Sequence, residues 1–100
     1  MRVAGATVIG VVATNARLNK EGANKVAQMA QDGLARAVRP AHTLYDGDTI
    51  FTLATGKVRG SVTVVGAYAA EAMAEAIVRA ARSATAAGGL PAASDVQTGR

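Results

Sequence analysis

Thr7-Val-Ile-Gly-Val-Val-Ala-Thr14 is a β-branched run bounded by Gly5 and Asn15. It shows no polar alternation, so it predicts a strand buried on both faces. A second run, Thr49-Ile-Phe-Thr-Leu-Ala-Thr55, predicts another strand, closed by Gly56. Working outward from the first, Asn15–Asn19 reads as a turn and Asn19 as the cap of a helix over 20–38, with acidic Glu21 in its first turn. Val26, Met29, Ala30, Leu34 and Val38 form its apolar stripe, and Pro40, lacking an N–H, prevents continuation. Gly56–Gly60 is a basic turn, and Ser61 or Thr63 caps a second helix over 62–85. Its expected face is Val65, Tyr68, Ala69, Ala72, Met73, Ala76 and Ala80, small enough to demand close approach to whatever covers it. Residues 1–6 are expected to be a leader or pre-cleavage segment, 7–85 the domain, and 86–100, rich in Ala, Gly, Pro and Ser, a loosely ordered tail.

The fold class is therefore α/β (α+β): one β-α-β-α pass without internal repeat. Half of the 100 residues are apolar, but 24 of those 50 are alanine, so a private core is thin. Two alanine-rich helices cannot cover both faces of two such strands, and a two-stranded sheet leaves two open edges. The chain is expected to be a fragment of a larger layered sandwich, completed by a partner chain or by copies of itself.

Charge and composition exclude several classes. The net charge is +4, but the 11 cations are scattered singly, and Glu21–Lys25, Asp32–Arg36 and Glu75–Arg79 stand at the i,i+4 spacing of a solvated face. With three aromatics and no basic aromatic ladder, no nucleic-acid partner is expected. Glu71 and Glu75 interrupt the long Ala-rich stretch, so no membrane span is expected either. The apolar run reaching Ala13 reads as a strand rather than a signal segment. Without cysteine there is no disulfide framework, thiolate metal site or cysteine nucleophile, and cytoplasm is the default location.

The unusual side chains gather in 41–48. His42, the sole histidine, reads as a hydrogen-bonded loop residue, since no serine offers a triad context. Asp46-Gly47-Asp48 reads as a turn whose carboxylates bond nearby backbone N–H groups; the ligand spacing of a calcium loop is absent. No metal or cofactor is expected.

Three segments taken together carry a more specific signal. They are Thr7-Val-Ile-Gly-Val-Val-Ala-Thr-Asn-Ala-Arg-Leu-Asn-Lys20, Lys25-Val-Ala-Gln-Met-Ala-Gln-Asp-Gly-Leu-Ala-Arg-Ala-Val-Arg-Pro40, and His42-Thr-Leu-Tyr-Asp-Gly-Asp-Thr-Ile-Phe-Thr-Leu-Ala-Thr-Gly56. In this order and spacing, over about residues 6–82, the chain resembles the small (β) subunit of the L-aminopeptidase/D-esterase family, self-processing peptidases that include the β-aminopeptidases.

The resemblance implies a precursor that cuts itself into a large α and a small β chain. The two then pair in a layered sandwich of the N-terminal-nucleophile type and form higher oligomers. It places Thr7 at the nucleophile, and Asp46 and Asp48 at a polar residue and a carboxylate that support the site. The chemistry is self-consistent. A free α-amino group titrates at roughly 7.7–8.0, so it can take the proton of its own residue's hydroxyl without a histidine. Oxyanion donors would come largely from the α chain. The expected function is hydrolysis of amides or esters of small N-terminal amino acids, on small peptides or amino-acid amides. The alternative is a non-catalytic, self-associating fragment of the same fold.

Overall fold

The computed structural model describes residues 7–38, 40–42, 47–85 and Gly89. Four elements follow in the order β1 (Ile9–Ala16), α1 (Lys20–Ala37), β2 (Thr49–Val58) and α2 (Val62–Ser83). β1 lies two residues later than the expected 7–14, and each helix stops short of its expected C-terminus, by one residue for α1 and two for α2. Expectations placed on 1–6 and on most of 86–100 fall outside the described residues.

Local chemistry accounts for the boundaries. Asn19 has extended backbone, and its Oδ1 accepts the Gly22 N–H at 2.7 Å, satisfying one of the unpaired donors at the start of α1. Ser61, rather than Thr63, caps α2, its Oγ accepting from the Val64 N–H at 3.5 Å. α1 closes where Val38 turns extended, two residues before Pro40, while its N–H still reaches the Leu34 carbonyl at 2.9 Å.

The strands pair in parallel, in register from Ile9↔Thr49 to Thr14↔Ala54, with α1 as the crossover that parallel pairing requires. The expected strand end at Gly56 is corrected: β2 runs on to Val58. Between Thr14 and Ala16 the register slips, so that Ala16 faces Val58. The surplus residues of β2 are taken up as a bulge around Gly56, whose φ of +75° is open to glycine and strained for other residues.

Both helices lie on one face of the sheet. Val26 and Ala30 of α1 meet Ala69 and Met73 of α2, with Val12 and Ile50 packed beneath from the strands. The helices approach closely because two glycines permit it. A Cβ at Gly33 would overlap the Ala70 carbonyl, and one at Gly66 would overlap the Met29 sulfur. This seam also corrects the expected face of α2. Gly66, Ala69, Ala70 and Met73 are buried, whereas Tyr68, Ala72, Ala76 and Ala80 are exposed. Contact with α1 through Gly66 and Ala70 turns the helix so that Tyr68 points away.

The expectation of strands buried on both faces is likewise corrected for this chain. Burial alternates along β1 and β2, and Ile9, Val11, Phe51 and Leu53 on the uncovered face are 59–72% exposed. The fold is thus a small α+β fragment, a two-stranded sheet with one helical layer, consistent with part of a layered sandwich. Of the three expected i,i+4 ion pairs, Glu75–Arg79 closes at 2.6 Å, in solvent, and is the only one to close among the described residues. No described helix is long and apolar enough to cross a membrane.

Candidate functional site

Parallel pairing brings the start of β1 beside the start of β2, so Thr7 and Asp48, 41 positions apart in sequence, become neighbours. The Val8 N–H donates to Asp48 Oδ1 at 3.0 Å, and the Val8 carbonyl accepts from the Thr49 N–H at 2.9 Å. Both backbone polar groups of the residue after Thr7 are therefore tied to the Asp48-Thr49 segment. Thr7 itself is exposed. Its hydroxyl rests against Gly47: a Cβ there would lie 3.2 Å from Thr7 Oγ1. The Thr49 hydroxyl donates to the Gly47 carbonyl at 3.2 Å, which helps hold that turn.

Asp48 is the enclosed member of the group, its side chain only 7% exposed. A carboxylate withdrawn from water needs donors. One oxygen has the Val8 amide, and the other, Oδ2, lies 3.5 Å from Nδ1 of His42. His42 is the residue that sequence reasoning set aside as a loop histidine. Nothing in its spacing reveals the contact, because it depends on the path of a loop and on a backbone φ of +58°. Asp46, the third expected site residue, lies outside the described residues.

A groove of about 510 Å³ begins at Val8 and runs along β1 toward the C-terminal half of α2, lined by Gly10, Ala72, Met73, Ala76 and Ile77 among others. The exposed alanines of α2 form part of its wall. Chemically, the corner offers a hydroxyl on an exposed residue, one enclosed carboxylate that anchors the neighbouring amide, an imidazole beside that carboxylate, and an apolar channel alongside. Among the described residues no three His, Asp or Glu side chains cluster as a metal site would require.

The chain is similar to several known proteins. The chain is 45% identical to an uncharacterized aminopeptidase of Mycobacterium leprae (strain TN), over 85% of this chain and 28% of that protein. It is 40% identical to an uncharacterized aminopeptidase of Mycobacterium tuberculosis (strain ATCC 25618 / H37Rv), over 93% of this chain and 31% of that protein. It is also 32% identical to a 6-aminohexanoate-oligomer endohydrolase of Kocuria sp. (strain KY2), over 79% and 26% respectively. The chain thus spans under a third of the length of these relatives. The profile of peptidase family S58 matches residues 3–97, through both strands, both helices and the Thr7–Asp48 corner, and the chain belongs to that family.

Proposed function

We propose that this chain is the nucleophile-bearing β chain of an N-terminal-nucleophile aminopeptidase or amidase, with Thr7 as the nucleophile. The observation that carries the reading is the corner itself: the hydroxyl of an exposed threonine just before β1, next to Gly47, its following amide bonded to an enclosed carboxylate. Cutting the Ala6–Thr7 bond frees the Thr7 α-amine. That amine takes the Oγ1 proton as the oxygen attacks the substrate carbonyl, and the negative charge moves to the carbonyl oxygen. The resulting ammonium then protonates the leaving nitrogen, the C–N bond breaks, and the acyl group stays on Thr7 as an ester. Water, deprotonated by the same amine, attacks the ester; the acid leaves and Oγ1 regains its proton.

Asp48 holds β1 in place through the Val8 amide, and together with Asp46 it tunes the amine or meets a substrate amino group. No cofactor enters these steps. The partner is the large α chain of the same precursor, which supplies oxyanion donors and covers the open face of the sheet, and the pair forms higher oligomers. Substrates are small peptides or amino-acid amides. The printed name of the Kocuria relative, an endohydrolase of 6-aminohexanoate oligomers, supports an amide bond as the target.

The test is Thr7→Ala beside Thr7→Ser in the assembled protein. The alanine variant is expected to lose turnover by about four orders of magnitude or more and to leave the precursor uncut by mass spectrometry, while the serine variant keeps both. Retained turnover in Thr7→Ala overturns the assignment. The uncovered apolar face equally suits a second reading, a self-associating structural protein. An intact Met1 terminus on a stable homo-oligomer would favour that one.

A further inference from the structure

His42 is the only non-glycine residue with positive φ among the described residues, at +58°. A β-substituted residue stays there only when its surroundings over-determine it, so the question is what holds it and to what end. Its imidazole lies beside the enclosed carboxylate of Asp48, with Nδ1 3.5 Å from Oδ2. That separation is beyond the roughly 2.7–3.2 Å of a well-formed N–H···O bond, so the imidazole is a close polar neighbour of the carboxylate in this arrangement rather than a formed hydrogen bond to it. The other carboxylate oxygen already holds the Val8 N–H at 3.0 Å, and the Thr7 hydroxyl sits on Gly47 immediately beside Asp48. The imidazole is 44% exposed and the carboxylate 7%, so His42 lies between the enclosed carboxylate and solvent.

We propose that His42 is a positioning residue that fixes the rotamer of Asp48, and through it the Val8 amide and the Thr7 hydroxyl. It rests on the reading of Thr7 as nucleophile and adds a role for a residue outside the reacting set. His42 touches no substrate; it acts through Asp48. The left-handed backbone is the means, because an extended His42 would aim the imidazole elsewhere. Among the described residues the Val8 amide is the one hydrogen-bond donor to the carboxylate, which could still pivot about that single bond. An imidazole beside the second oxygen restricts that pivot and closes to a hydrogen bond with a shift of a few tenths of an ångström.

Two substitutions separate this role from a backbone one. Glycine accepts positive φ at no strain but carries no donor; asparagine also tolerates positive φ and places an amide nitrogen near where Nδ1 stood. In the assembled protein, His42→Gly is expected to lower kcat about 10–100-fold with little change in KM, as small displacements of a reacting group do, and His42→Asn to recover most of the loss. In an Asp48→Asn background, His42→Gly should have little further effect, since the residue it acts through is already altered. The inference is overturned if glycine performs like wild type, if asparagine falls as far as glycine, or if the two losses simply add. Thr7→Ala, assayed in parallel, keeps the two proposals distinguishable. If it abolishes turnover while His42→Gly performs like wild type, only the positioning role fails; if it leaves turnover intact, both fail.

Discussion

The two faces of the sheet use the same two strands to opposite effect. Toward the helices the strands present Gly10, Val12 and Thr14 from β1, and Ile50, Thr52 and Ala54 from β2, mostly small and partly buried. Away from them they present Ile9, Val11, Phe51 and Leu53, larger side chains left 59–72% exposed. A folded chain seldom turns its bulkier apolar residues to water over a contiguous face unless that face meets something. The covered side is crowded by design: small strand residues let two helices lie close, and two glycines let the helices meet. The open side supplies apolar area without a layer to bury it. Thr7 precedes β1, next to Val8, where the groove along β1 begins.

The sharpest way to break the comparison is on the covered side. Gly33→Val places a branched side chain against the Ala70 backbone, which cannot rotate away, so α1 and α2 must separate. The expected loss is about 3 kcal/mol, the upper range for overpacking, read by urea denaturation followed by circular dichroism. An unchanged midpoint would mean that the helix seam contributes little to stability and that the core lies elsewhere.

Sequence reading reached the element order and the Asn19 cap, which depend on local chemistry that one chain displays. The link between Thr7 and the Asp48 turn came only from family resemblance, since 41 intervening positions hide it in the chain; parallel pairing makes the two neighbours. Tyr68 was misplaced because apolar periodicity specifies a stripe only to within a residue, and the glycine seam decides which edge of that stripe faces α1. The extension of β2 past Gly56 escaped because glycine marks either a strand end or a bulge, and only pairing distinguishes them. Burial on both faces was inferred from composition, which reports what the strands are built for rather than what this chain alone supplies. His42 was illegible for a different reason. Its contact depends on one left-handed residue, and histidine, unlike glycine, gives no notice of that conformation.

A smaller effect sharpens the open side. Phe51→Ser removes the one phenylalanine from a face that touches neither helix, so the fold of the chain itself should change by no more than about 0.5 kcal/mol. If the large chain covers that face, association should weaken by about 2 kcal/mol, roughly 30-fold in dissociation constant, from the apolar area no longer buried. Titration calorimetry between the two chains reads the second quantity and denaturation the first. A large loss of chain stability with unchanged association would reverse the roles assigned to the two faces.

The smallest effect is on a covered-face residue that looks satisfied by position and is not. Thr52 Oγ1 is shielded from solvent yet has no hydrogen-bond partner among the described residues. A hydroxyl withdrawn from water without a partner destabilises the folded state, and valine matches threonine in shape and strand preference while removing that group. Thr52→Val is therefore expected to stabilise the chain by about 1 kcal/mol, seen as a higher urea midpoint with an unchanged slope. In the assembled protein the sign is informative. If the gain persists after assembly, the oxygen stays unpaired and this edge of β2 receives no polar neighbour. If it turns into a loss, the added layer brings a donor or acceptor to Thr52, and the covered face is completed from outside as well as the open one.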